Sequence, residues 1–499
     1  MVIRGPQRLP DMQGGRMLAG SPAPRRTMLT ATETPLFTDL YQLTMAQGYY
    51  LAGKADDRAV FDVFFRTTPF DGGYCVFAGL GEVLPLIAEM RFGDDEREFL
   101  RANGFDDAFV DWLADFRFRG DIWSVREGEI VFPRTPILRV HGTLIEAQLV
   151  ETLLLNMVNF QSLVATKAHR MVDVAGDARQ VIDFGLRRAQ GLGGMQASRA
   201  AAVGGCVSTS NVLAARRYGL AMSGTQAHSW VQSFDDELAA FRAFADAYGD
   251  RTVLLVDTWD TLGSGVPNAI TVAKELAERG QKLAGIRLDS GDLAYLSRKA
   301  RRMLDEAGLH DVQIAASNNL DEHLIKSLLE QDAPIDVFGV GTRLVTAWDD
   351  PALDGVYKLA FAGGRDRMKV SDNIEKTTLP GIKRTDRFYN DDGTFYGDGI
   401  ALESEPALER IHHPLYPDMR SSVAELDREP LLAQVMASGA ITDPLPTPAQ
   451  ASAYRAERFA KLPDEHKRFH NPHVYKVGIS PGLVEARRAM MPSATGYDF

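Results

Sequence analysis

The feature that most constrains this chain is a unit repeated from residue 250 onward: a short apolar, β-rich run, a loop, then a stretch with apolar residues at helical spacing. VLLVD (253–257) precedes AITVAKELAERG, LAGIRLD (283–289) precedes DLAYLSRKARRMLDEAG, VQIAASNN (312–319) precedes LDEHLIKSLLEQ, and IDVFGVGT (335–342) follows. The runs begin about 23 to 30 residues apart, which suits a strand with its crossover helix. Apolar strands between amphipathic helices predict a parallel sheet covered on both faces, as a (β/α) barrel or a doubly wound sheet.

Upstream, residues 146–174 keep a helical period, while RQVIDFG (179–185) and GLAMSGT (219–225) read as further strands, so the βα region is expected to span 146–385. Before it, AVFDVFFRT (59–67), GYCVFAG (73–79) and the stretch 121–142 read as strands with turn signals, predicting an α+β domain over 35–145. Residues 386–499 combine a Gly/Asp/Asn-rich turn region with a charged helical end, expected to pack on the N-terminal domain and the barrel. The Pro-, Gly- and Arg-rich residues 1–34 read as a disordered extension.

Composition excludes several function classes. With 55 basic against 67 acidic residues the net charge is −12, which argues against a duplex nucleic-acid surface and an anionic membrane. An anionic substrate must then meet a local basic pocket. Cys75 and Cys206 are the two cysteines, too few for a disulfide framework or a cysteine-rich zinc site, and a reducing cytoplasm is expected. No apolar run approaches the roughly 20 residues of a spanning helix, and the N-terminus has no apolar signal core.

Polar residues collect where parallel βα folds bind ligands, at the C-terminal ends of the strands. DFGLRRAQG places Asp183, Arg187 and Arg188 there; DTWD places Asp257 and Asp260; RLDSGD places Arg287, Asp289 and Asp292; SNN places Asn318 and Asn319; GVGT places Gly339, Gly341 and Thr342. Helix capping accounts for an Asp or Asn singly, but caps do not require arginines. Glycines before a helix suit a phosphate. Arginines beside carboxylates suit a substrate that is anionic and metal-bound, such as a sugar diphosphate. His228 in GTQAHSW (224–230) is open to four readings at this point: core residue, metal ligand, general base or nucleophile. Zinc is disfavoured because no second His or Cys lies at ligand spacing nearby.

FTDLYQLTMAQGYY (37–50), DFGLRRAQG (183–191), STSNVLA (208–214), GTQAHSWV (224–231), GIRLDSGDL (285–293), SNNLDE (317–322), GVGT (339–342), GVYKLA (355–360) and NPHVYKVGIS (471–480) together resemble the nicotinate phosphoribosyltransferase family, in order and at compatible spacing. The resemblance implies an irregular (β/α) barrel packed against a smaller α+β domain, in a homodimer with active sites at the subunit interface. It implies the joining of nicotinate to 5-phosphoribosyl 1-diphosphate, giving nicotinate mononucleotide and diphosphate, with Mg2+ and coupled ATP hydrolysis, as the entry step of NAD salvage.

Carried onto this sequence, the resemblance puts Tyr41 across the dimer on one face of the nicotinate ring and Phe184 on the other. Arg287 takes the nicotinate carboxylate, with Thr225 nearby; Arg187 meets phosphoribosyl diphosphate, and Asp289 the ribose hydroxyls. Thr342, Gly339 and Gly341 hold the 5-phosphate, and Asn318 lies among the substrate-binding residues. His228 becomes a phosphohistidine, which needs a positioned nitrogen and charge compensation. Asp257 and Asp260 are candidates for orienting magnesium-bound diphosphate or ribose, a structural role being the alternative. One segment departs from the family pattern: CVSTSNVLA (206–214) has Cys206 and Ser208 where the family has an aromatic residue and a glycine. Nicotinamide phosphoribosyltransferase is the nearest rival. Quinolinate phosphoribosyltransferase and a non-catalytic nucleotide-binding barrel are more distant ones.

Overall fold

The computed structural model describes residues 29–371 and 376–491. The expected extension at 1–34 therefore lies outside the described residues up to position 28, and Thr34–Leu36 forms a 3-10 turn. The chain divides into two compact units: Lys167–Asp349, and the described residues of Arg26–Thr166 with Asp350–Phe499.

The unit Lys167–Asp349 contains the repeated βα pattern. Its strands are β1 (Gln180–Asp183), β2 (Ser208–Thr209), β3 (Val253–Leu255), β4 (Gly285–Leu288), β5 (Gln313–Ser317) and β6 (Val337–Val340). They form one sheet in the order β2-β1-β6-β5-β4-β3, with every neighbouring pair parallel. Val253, Leu254, Leu255, Ile286, Leu288, Ile314, Phe338 and Val340 are all buried, which is why these strands read as continuous apolar runs. An isolated parallel bridge, Thr209–Met222, extends the β2 edge. The strand expected over 219–225 is reduced to that bridge. No ladder joins the two ends of the sheet among the described residues, so hydrogen bonding does not itself close a barrel.

The intervening helices begin where the sequence supplies acceptors. Asp236, Asp292 and Asp321 accept the backbone N–H three residues on, satisfying donors the first helical turn leaves open. Leu293–Glu306 buries Leu293, Ala294, Ser297, Ala300 and Leu304 on one stripe.

The other unit contains a seven-stranded sheet, pairing 365–366, 356–362, 58–64, 138–143, 121–124, 433–437 and 440–441 in that order. A six-stranded sheet orders 420–422, 410–412, 477–479, 395–402, 383–389 and 428–430. Residues after 385 are thus richer in strand than their turn signals predict. Many of these strands span only three residues, too short for an alternating pattern to emerge. Helices Pro448–Ala460 and Pro481–Met490 complete this region. Helix Leu144–Ala175 is long and apolar enough, by length and composition, to cross a membrane, but 67% of its apolar window is buried inside the protein. It corrects the expectation that no stretch approaches spanning length; Lys167, His169 and Arg170 break the apolar run without ending the helix. Both cysteines are buried and outside any disulfide, and burial pushes the Cys75 thiol up to about 12.

A fully buried ion network ties distant segments of this second unit. Arg387 meets Glu129 at 2.6 Å and Asp398 at 2.7 Å, and Arg458 meets Glu129 at 2.9 Å. Replacing Arg387 by Met leaves Glu129 without one of its two cations and Asp398 buried without its guanidinium. The expected loss is roughly 3–5 kcal/mol, read as a lower urea midpoint for this variant.

Candidate active site

The loop after β1 is organised by a buried carboxylate. Asp183, 1% exposed, accepts hydrogen bonds from the Gly185 N–H (2.8 Å), the Ser198 hydroxyl (2.8 Å) and the Thr209 hydroxyl (2.7 Å). This places Phe184 beside the end of β6. A Cβ on Gly339 would lie 2.5 Å from two carbons of the Phe184 ring, so the glycine in GVGT clears room for that ring. Gly185 is equally constrained, because its Cβ would meet Val345 Cγ1 at 2.1 Å.

Arg287, on β4, extends toward the same ring, with its guanidinium carbon 5.5 Å from the Phe184 centroid. Its Nε donates to the Ser317 hydroxyl at 2.9 Å, one Nη to the Thr225 hydroxyl at 3.0 Å, and the other to Asp289 Oδ1 at 2.8 Å. The Ser317 hydroxyl in turn donates to Asp289 Oδ1. The fork is thus fixed on three sides, and one N–H of the Asp289-bound Nη stays open. Asp289 Oδ2 has no protein partner among the described residues.

Burial alone would raise the Asp289 carboxyl, but the Ser317 hydroxyl, the Arg287 guanidinium and His228 outweigh it and hold the pKa below its ordinary value. A depressed carboxylate stabilises the fold fully above the unfolded value of about 4, and that contribution disappears as pH falls through the lowered folded value. Asp289→Asn should therefore flatten the acid limb of stability below about pH 4, measured as the urea midpoint against pH; a limb as steep as the parent's would contradict this.

His228 is the first residue of the short helix His228–Gln232. Its Nε2 lies 3.2 Å from Asp257 Oδ1. The Asp257 side chain is 1% exposed and that of His228 37%. Asp257 Oδ2 accepts from the Asp289 N–H and the Ser290 hydroxyl, both at 2.7 Å. With the imidazole proton on Nε2 pointing at Asp257, the Nδ1 lone pair is left open.

These contacts bring together Phe184, Thr225, His228, Asp257, Arg287, Asp289 and Gly339. The other expected residues stand differently. Asp260 Oδ1 accepts from the N–H groups of Leu262 and Gly263 at 3.2 and 2.9 Å, which is helix capping. Among the described residues no group of three or more His, Cys, Asp or Glu side chains forms a metal cage. Arg187 and Arg188 are exposed on the 3-10 turn Leu186–Arg188. Asn318 and Asn319 are exposed in left-handed conformations, φ +95° and +48°. Gly341 and Thr342 lead into the single turn Thr342–Val345.

Tyr41 belongs to the other unit, on helix Leu40–Leu51. It is 48% exposed, with its phenol 3.3 Å from Glu151, and it lines a cavity of about 560 Å³ with Lys358, Arg367 and Lys369. In the departing segment at 206–214, Thr209 holds Asp183, and Asn211 caps the next helix through the Ala214 N–H. Three residues went unnoticed in the sequence: Ser317, Ser290 and Asp183 in its loop-holding role. The two serines lie inside SNN and RLDSGD, and their position next to charged strand-end residues was the available signal.

Comparison with known proteins agrees along the chain. Residues 36–159 match the nicotinate phosphoribosyltransferase (NAPRTase) N-terminal domain, 179–403 the nicotinate phosphoribosyltransferase (NAPRTase) family, and 382–487 the nicotinate phosphoribosyltransferase C-terminal domain. Nicotinate phosphoribosyltransferase of Bacillus subtilis (strain 168) is 44% identical over 456 residues, 89% of this chain and 92% of that protein. The Homo sapiens nicotinate phosphoribosyltransferase is 35% identical, covering 91% and 96%. The crystal structure of human nicotinic acid phosphoribosyltransferase superposes with a TM-score of 0.81 at 33% identity, over 91% of this chain and all of that one. Family profiles over most of the length, relatives of this identity and a strand-end site of this composition converge: the chain belongs to the nicotinate phosphoribosyltransferase family.

Proposed function

We propose that this protein is an enzyme that joins nicotinate to 5-phosphoribosyl 1-diphosphate, forming nicotinate mononucleotide and diphosphate in NAD salvage, with ATP hydrolysis coupled through His228. The observation that carries the reading is the fixed Arg287 fork beside Phe184, with the His228–Asp257 pair held through Asp289 and Ser290.

The open N–H of Arg287 and the Thr225 hydroxyl meet the nicotinate carboxylate, and Phe184 supports the ring. The pyridine nitrogen, which has no proton to lose, attacks the anomeric carbon as its bond to diphosphate breaks, through an oxocarbenium-like state. Asp289 Oδ2 accepts from a ribose hydroxyl. Gly339, Gly341 and Thr342 face the 5-phosphate with backbone and hydroxyl donors, Asn318 lines the same substrate space, and the exposed Arg187 meets the diphosphate. Magnesium is commonly held by one or two carboxylates plus substrate phosphates; both oxygens of Asp257 are engaged, whereas the exposed Asp260 uses only Oδ1 for its helix cap, so its Oδ2 would hold the ion together with the substrate phosphates. When bound it neutralises charge on the leaving diphosphate.

For the coupled step, Nδ1 of His228 attacks the γ-phosphorus of ATP, the bond to the bridging oxygen breaks and ADP leaves. The imidazole becomes cationic and keeps its Nε2 proton toward Asp257, whose carboxylate compensates the charge. The same reading takes the six strands with the Thr209–Met222 bridge as an irregular barrel, and Tyr41 with its cavity as the part lent to a partner's site in a homodimer. Two buried cysteines outside any disulfide agree with a reducing cytoplasm.

Nicotinamide, lacking a charge, leaves the Arg287 N–H without an anion, so nicotinate is the favoured base. In assays of nucleotide formation nicotinate should be the better substrate by a wide margin, and parity with nicotinamide would refute the assignment. Arg287→Gln should raise KM for nicotinate roughly 10- to 150-fold, the equivalent of about 1.5–3 kcal/mol for a charged hydrogen bond. His228→Ala should keep ATP-independent synthesis while losing both ATP hydrolysis and the stimulation by ATP; surviving stimulation would remove His228 from the coupling.

A further inference from the structure

The unit built of Arg26–Thr166 and Asp350–Phe499 contains a cavity of about 1020 Å³ that the proposed reaction does not use. Its volume matches the upper range of small-molecule sites, large enough for a nucleotide. Arg66, Arg134, Arg420 and Lys476 line it together with three histidines, and Asp418 is the single lining carboxylate. In a chain of net charge −12, the half-buried Arg66 and Arg134 and the exposed Arg420 and Lys476 facing one acid in a part-enclosed space make a local basic surface suited to an anion.

One of these groups is held ready, and a second stands beside it. His413 Nδ1 accepts hydrogen bonds from the backbone N–H groups of Leu415 and Tyr416, both at 3.1 Å. That fixes the tautomer, so the ring proton sits on Nε2 as a donor with no protein partner among the described residues. The ring is also braced by stacking on Tyr416, centroids 5.2 Å apart and planes 28° apart. Arg134 lies close enough to His413 that its charge, after burial, is the next cause lowering the histidine's pKa. The Arg134 guanidinium has no ion pair among the described residues, and its backbone is left-handed at φ +69°. A β-substituted residue kept in that conformation at a cavity wall points to a requirement for its side chain.

We propose that this cavity binds a phosphate-bearing small molecule of nucleotide size, with Arg134 and the Nε2–H of His413 as donors to its phosphoryl oxygens. Charge-assisted donors of this kind recognise phosphate, and the apolar walls at Ile411, Leu415 and Val477 suit the rest of a nucleotide. Free phosphate shares the first chemistry and lacks the second.

The test is titration calorimetry on the full chain with ATP and, separately, inorganic phosphate. Parent, Arg134→Gln, Arg134→Lys and Asp289→Asn proteins are compared, the last altering only the strand-end site. The expected result is a class of sites weakened about tenfold or more in Arg134→Gln, largely restored in Arg134→Lys, and retained in Asp289→Asn. Tighter binding of ATP than of phosphate at that class supports the proposal, whereas equal binding of the two would overturn it in favour of a simple oxyanion site. Unchanged binding of both probes in Arg134→Gln would overturn it. So would a raised KM for phosphoribosyl diphosphate as the sole effect, because the cavity would then serve nucleotide synthesis itself.

Discussion

The candidate site depends on the carboxylate of Asp257. One oxygen faces His228 Nε2, and the other takes the Asp289 N–H and the Ser290 hydroxyl. A single buried acid at the end of β3 thus sets the ring orientation of the histidine and the backbone of the loop after β4. That loop carries Asp289, which with Ser317 fixes Arg287. Removing the Asp257 carboxylate would take the acceptor from part-buried donors in two loops at once.

The arrangement also divides the labour between charges. Asp183 spends both oxygens on backbone and hydroxyl donors, as a structural acid, and Asp260 spends one on backbone N–H groups. Asp289 keeps one oxygen open and Arg287 one N–H, and Arg187 and Arg188 stand exposed. Arg287 and Asp289 are thus held by protein partners before any ligand arrives, which is the form preorganised electrostatic stabilisation takes.

Much of this was legible in the sequence, for physical reasons. The parallel strands were readable because burial on both faces forces continuous apolar runs such as VLLV and IDVF, and the repeated spacing reveals the crossovers. Arg287 and Asp289 were readable because strand ends are where this architecture gathers polar side chains, whereas Phe184 and a role for His228 came only with the family resemblance. Other features were hidden. A serine that bridges two charged residues looks like any loop serine until β4 and β5 are seen side by side. Asp260 and Asp257 both follow β3, and nothing in DTWD tells a helix cap from a histidine partner. Residues after 385 concealed their sheet because three-residue strands carry no period, and because their partners, as in the pairing of 433–437 with 121–124, lie hundreds of positions away.

The central claim is that His228 accepts a phosphoryl group on a nitrogen held open by Asp257. The most direct measurement is incubation with ATP labelled in the γ-phosphate, followed by peptide mapping of the protein-bound label and its stability in acid and alkali. The account predicts an acid-labile, alkali-stable label on the peptide containing His228, absent from His228→Ala. Failure to label a protein that hydrolyses ATP, or an acid-stable label on another peptide, would contradict it.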